Sequence, residues 1–231
     1  MTPAWKSDCG TVGLFLGDCL PVLQSMADQS IDVLLTDPPY GIQAARKNNP
    51  SRSCLAVSRD YGIASWDDST NEPAIGESRR VCKQQVIFGG NYYHLPPAQC
   101  WLVWDKMNGN NDFADCELAW TNLAKAVRKK SYLWHGMLRA GNDPRGIHPT
   151  QKPEEIMAWA LSQTSGETVI DPFMGSGTTG VAAVRFGKSF IGIERDPVFF
   201  ETAKKRIVDA LSQMSFLSPG ESADRQLVLF S

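Results

Sequence analysis

Residues 168–180 read TVIDPFMGSGTTG, and they decide the fold. Thr168 to Asp171 is a short apolar, β-branched run, the composition of a strand. Pro172 ends it, and Gly175, Gly177 and Gly180 lead into a stretch, 176–186, that fits a helix. A strand turning through glycines into a helix is a unit of an open α/β sheet, and ligands bind at such turns. The glycines let backbone come close to a ligand, and the helix start favours an anionic group. No Lys follows them, which excludes a Walker A phosphate loop. Glu194, nineteen residues beyond Gly175, ends an expected strand at 189–193 and suits ribose hydroxyls. An adenosine-containing cofactor follows, either NAD or S-adenosylmethionine.

Outward from this block, short apolar runs alternate with amphipathic stretches, the rhythm of a single α/β domain. Further strands are expected near 12–17, 31–36, 85–89, 100–104 and 116–121, making seven with 168–171 and 189–193. Helices fit near 19–27, 74–84, 153–164, 176–186 and 197–211, with Pro153 suited to a first helical position. Directly after the strand at 31–36 stands Asp37-Pro38-Pro39-Tyr40. The prolines fix the backbone, so the Asp37 carboxylate and the Pro38 carbonyl can face one cavity as two acceptors. Tyr40 adds a flat face beside them. Two acceptors next to an aromatic plate suit the exocyclic amino group of a stacked nucleobase; the plain alternative is a rigid turn.

DPPY, DPFMGSGTT and HPTQKP (148–153) together resemble the DNA methyltransferases that modify N6 of adenine or N4 of cytosine. The order, DPPY before the glycine block, resembles their β class. Similarity also runs through GDCLPVLQSMADQSIDVLLTDPPYGI, IFGGNYYHLP and WLVWDK, and covers most of residues 12–210. The resemblance implies a Rossmann-like, seven-stranded methyltransferase domain with permuted motif order. It implies that Asp37 and Pro38 accept hydrogens from the target amino group, with Pro39 in the same motif. Tyr40 would stack on a base flipped out of the duplex. Asp171, Phe173, Gly175, Ser176, Gly177 and Thr178 would line the methionine half of S-adenosylmethionine. Glu194 would hold the ribose, Asp18 would meet the adenine unless it serves as a helix cap, and Lys152 would close over the methionine end. The DPPY spelling favours adenine N6, since cytosine N4 enzymes more often carry Ser in place of Asp37. A nicotinamide oxidoreductase would leave DPPY and HPTQKP without a role. A protein-glutamine methyltransferase usually has Asn first in that tetrapeptide and an earlier glycine block. The absence of a Pro-Cys pair argues against C5-cytosine chemistry.

The chain has 231 residues, 42% hydrophobic and 21% charged, which excludes disordered and collagen-like classes. Its longest apolar runs are about five residues, against the 20 or so of a membrane span, and MTPAWKSDCG lacks a signal-peptide core. A cytoplasmic protein of a bacterial or phage-infected cell is expected. The six cysteines form no CxxC pair and the three histidines are scattered, so reduced thiols and no metal are expected. Net charge is −2, but Arg46, Lys47, Arg52 and Arg59 make 41–59 locally basic. Lys125, Arg128, Lys129, Lys130, Arg139 and Arg145 do the same for 125–145. Arg46, Lys47, Arg52, Arg128, Lys129 and Lys130 are the candidates for phosphate contact. Only about a dozen residues, 136–147, remain for a target-recognition segment. Readout would then fall to the 41–73 loop, the 105–115 loop or a partner subunit, or be relaxed. Residues 212–231 read as a flexible tail after a domain of 1–211. Gln226, Leu227, Leu229 and Phe230 in that tail resemble the pentapeptide that docks on the bacterial sliding clamp.

Overall fold

Five mutually parallel strands form the centre of the sheet because their sequences are apolar on both sides. The computed structural model describes residues 2–41, 71–108, 114–135, 138–139 and 151–215. In β3 (Ile31–Thr36), Val33 and Leu35 pack into one core while Leu34, one residue out of phase, packs into the other. In β10 (Thr168–Asp171), Val169 and Ile170 divide in the same way. Such continuous apolar runs suit parallel strands covered by helices on both faces.

The chain enters through β1 (Trp5–Lys6), β2 (Val12–Leu16) and α1 (Cys19–Gln24). After β3 come α2 (Glu72–Val81), β4 (Cys82–Phe88), β5 (Trp101–Asp105), β6 (Cys116–Thr121) and β7 (Arg128–Ser131). A small two-stranded ribbon, β8 (Trp134–His135) with β9 (Leu138–Arg139), stands apart. The chain then adds α3 (Glu154–Ser162), β10, α4 (Thr178–Arg185), β11 (Ser189–Glu194) and α5 (Pro197–Ser215). The main sheet has the order β1-β2-β11-β10-β3-β4-β6-β5-β7. The run β2-β11-β10-β3-β4 is parallel, whereas β6 is antiparallel to both β4 and β5. Residues of α3, α4 and α5 pack into the core holding Val33 and Leu35, and residues of α1 and α2 into the other.

All seven expected strands are present, and the sheet gains two edges, β1 and β7. Several boundaries differ from the sequence expectation, α1 ending at Gln24 rather than 27 among them. Pro153 occupies the N-cap, with extended backbone (φ −60°, ψ 138°), and the helix begins at Glu154. α2 stops at Val81, and β4 starts at once at Cys82. α5 runs to Ser215, past the expected 211, because Ala210 and Leu211 still pack on the core. No helix among the described residues is long and apolar enough to cross a membrane.

Candidate active site

β10 continues through α4 to β11 on one side, and β3 through α2 to β4 on the other. Their adjoining edges are therefore the topological switch point of the sheet, where a crevice opens beyond the strand ends. DPPY follows β3 and the glycine loop follows β10, so the fold brings the two motifs side by side. Thr36 donates to Asp171 Oδ1 across the strand ends at 2.7 Å.

At the DPPY turn, both Asp37 oxygens are engaged. Tyr40 donates its hydroxyl to Oδ1 at 2.5 Å, and Lys152 donates to Oδ2 at 2.7 Å. Burial pushes the Asp37 carboxyl above its ordinary range, and Lys152 only partly offsets this. Lys152 is 7% exposed and also lies 3.0 Å from Glu117 Oε2 on β6. Glu117 Oε1 in turn meets Lys106 at 2.5 Å. Two acids and two ammonium groups thus alternate in a mostly buried row. Lys152 is therefore a partner of Asp37, and not the exposed residue that its place before a helix allows. Pro38 is buried, and no donor among the described residues reaches its carbonyl. The Pro39 carbonyl is taken by the Tyr93 hydroxyl.

The Tyr40 ring stacks on Tyr92 with centroids 4.9 Å apart, and Tyr92 is 44% exposed. Gly89 makes room for the Tyr40 ring. Its φ is +64°, and a Cβ there would fall 2.0 Å from the Tyr40 ring. The GGNYY stretch after β4 is therefore the wall against which DPPY rests.

In the glycine loop, Asp171 is 2% exposed and serves three donors: Thr36, the Phe173 amide at 3.0 Å and Thr179 at 2.6 Å. It braces the loop from behind. Glu194 accepts from the Gly175 amide and from the Asp196 amide, each at 2.9 Å, so it also holds the loop's shape. Arg206 of α5 donates to the Ser176 carbonyl at 2.6 Å and to the hydroxyls of Ser176 and Thr178. Ser176 and Thr178 are buried, while Phe173 and Gly175 are half-buried. Asp18 caps α1, accepting from the Leu20 amide at 2.7 Å, and its side chain is otherwise exposed. It sits beside Gly17, whose amide donates to the Glu194 carbonyl. A Cβ at Gly17 would meet nothing within 4 Å, so open space borders Asp18 and Glu194. Burial pushes the nearby Cys19 thiol up to about 12, and Asp18, Asp171 and Glu194 add to the shift. Three carboxylates therefore surround this end of the sheet.

The basic candidates fare differently. β7 places neighbouring side chains on opposite faces, which splits the 128–130 cluster. Arg128 is exposed, Lys129 pairs with Asp105 at 3.0 Å, and Lys130 pairs with Glu155 at 2.5 Å. Arg46, Lys47 and Arg52 lie outside the described residues, as do His148 to Thr150 and Gln226, Leu227, Leu229 and Phe230. Lys106, Glu117, Tyr92 and Arg206 were not singled out from the sequence. For Glu117 a signal existed, an acid inside the otherwise apolar CELAW run; Arg206 has none, since it follows Lys204 and Lys205 on a polar helix face.

Residues 94–205 match the family described as DNA methylase, the N6/N4 methyltransferases. The type II methyltransferase M2.MboI of Moraxella bovis is 24% identical, over 88% of this chain and 90% of its own length. M.HinfI of Haemophilus influenzae is 26% identical, over 83% of this chain and 67% of its own. Among solved structures, the M1.HpyAVI complex with S-adenosylmethionine superposes with a TM-score of 0.53 at 22% identity, over 85% of this chain and 98% of that one. The cytosine-N4-specific PvuII DNA methyltransferase gives 0.59 at 14% identity, over 99% of this chain and 95% of that one. These two likenesses are of fold. A family match over residues 94–205, relatives matched over most of the chain and two motifs meeting at one switch point agree: the chain is similar to the N6/N4 DNA methyltransferases.

Proposed function

We propose that the protein transfers a methyl group from S-adenosylmethionine to the N6 amino group of adenine in DNA, on a base turned out of the duplex. The observation that carries this reading is the placement of Asp37 one strand away from the glycine loop, at the mouth shared by β3 and β10. The open space beside Gly17 and the carboxylates of Asp18 and Glu194 fit a cofactor that carries positive charge. They do not suit the pyrophosphate of a dinucleotide, whose two negative charges would face these acids. Bound there, S-adenosylmethionine supplies an electrophilic methyl group.

The chain's own part is positioning and electrostatics. An aromatic amino group is a poor nucleophile because its lone pair is delocalised into the ring. The Asp37 carboxylate and the Pro38 carbonyl, accepting its two hydrogens, favour a pyramidal nitrogen and stabilise positive charge as it forms. Tyr40, backed by Tyr92 and Gly89, gives the base a rigid plate. Adenine rests on the DPPY spelling, with cytosine N4 as the second reading, since a cytosine-N4 enzyme shares the fold.

Purified protein, unmethylated plasmid and S-adenosylmethionine, followed by nucleoside mass spectrometry, test this directly. N6-methyldeoxyadenosine is expected with the wild type and none with Asp37→Ala, which still binds the cofactor. N4-methyldeoxycytidine would overturn the base and keep the mechanism. Activity surviving in Asp37→Ala would sink the mechanism.

A further inference from the structure

Lys152 sets a problem for this chemistry, and the inference rests on the reading above. Methyl transfer places positive charge on the target nitrogen, and Asp37 is the acceptor facing it. Yet an ammonium group already lies 2.7 Å from the same carboxylate. Left alone, that cation would oppose a second one forming in front of Asp37.

Glu117 answers it. From the interior strand β6 it reaches Lys152 at 3.0 Å. Lys106, at the end of β5, fixes its other oxygen at 2.5 Å and rests against the Trp104 ring. The four side chains are 7% to 22% exposed, so water and salt screen them weakly. We propose that Glu117 is a positioning residue for methyl transfer, sharing Lys152 between two carboxylates so that Asp37 stays basic enough to take the proton the reaction releases. The lone pair of the amino nitrogen forms the new N–C bond while the S–C bond breaks and its electron pair stays on sulfur. The cationic nitrogen then passes one N–H proton to Asp37 Oδ1, whose present donor, the Tyr40 hydroxyl, has given way. A neutral methylamino group and a neutral carboxyl group result, and the carboxyl group returns its proton to water.

The groups bearing on Asp37 are Tyr40 in its own turn, Lys152 ahead of α3, Glu117 from β6 and Asp171 from β10. Lys106 acts through Glu117. Removing the negative charge of Glu117 leaves the pull of Lys152 unopposed, so Asp37 ionises more readily and becomes a weaker proton acceptor.

Glu117→Gln keeps the shape and removes the charge. With saturating DNA and cofactor, kcat is expected to fall about tenfold with both KM values within about twofold. The acid limb of the pH profile should move to lower pH by about half a unit or more. Carboxyl carbon-13 NMR, with the Asp37 signal assigned by Asp37→Asn, reads the same shift without turnover. A lowered kcat with neither the limb nor the NMR midpoint displaced would make Glu117 merely structural and overturn the inference, as would an unchanged kcat. A displaced midpoint in a protein that methylates no DNA would keep the hold of Glu117 on Asp37 and overturn the reaction assigned to it.

Discussion

Asp171 keeps a carboxylate where almost no water reaches it. An ionised group in such a place costs free energy, and the three donors from Thr36, Thr179 and Phe173 offset only part. Burial pushes its pKa up to about 6, above the ordinary value near 4. The folded chain therefore holds a proton there that the unfolded chain has released, and stability falls as pH rises from about 4 to about 6. Asp171→Asn keeps the shape, and the Thr179 hydroxyl can turn to accept from the new amide. The variant's stability relative to wild type should grow by about 2 kcal/mol between pH 4 and pH 7. Urea midpoints at pH 4, 5, 6 and 7 measure it, and a gap independent of pH would refute the account. Asp171 and Asp37 were legible in the sequence because each ends an apolar strand next to a proline. Glu117 left a trace, an acid in an apolar run, but its partner Lys152 lies far along the chain, and Arg206 reaches Ser176 and Thr178 only once α5 packs on α4.

At the scale of elements, α4 and α5 meet through Gly177. Its φ is +80°, and a Cβ there would lie 2.8 Å from Ala203 Cβ and 2.9 Å from Ala203 Cα. Backbone atoms of a packed helix cannot yield as a flexible side chain would. Gly177→Ala combines a left-handed backbone with this collision and should cost about 2–4 kcal/mol. Pushing α5 away also withdraws Arg206 from Ser176 and Thr178, so cofactor affinity should fall about tenfold. Thermal unfolding and titration calorimetry report the two effects separately, and wild-type values for both would show that the helices have slack. The seven central strands could be read because both of their faces need apolar residues. β7, Arg-Lys-Lys-Ser, could not, because as an edge strand it buries little and looks like a charged loop. Its pairing with β5 depends on backbone hydrogen bonds that composition does not advertise.

For the whole molecule, net charge −2 leaves DNA binding to local clusters. The fold divides one of them, since Lys129 and Lys130 already face Asp105 and Glu155. Three independent phosphate contacts would change the slope of log affinity against log salt by about 3, at roughly 0.9 per contact. Replacing Arg128, Lys129 and Lys130 together with Ala should instead change it by about 1, chiefly through Arg128. Fluorescence anisotropy across a salt series decides between the two. The strand order has one more consequence. β10 and β11 come late in the chain, yet they stand between β2 and β3, which come early. While a ribosome is still making the last third, β2 and β3 have no neighbours on the edges that will later face each other across the sheet. Open edges of this kind invite pairing with other chains. The crevice proposed for methyl transfer is the final seam to close, so an interrupted chain is a hazard for aggregation and never half an enzyme.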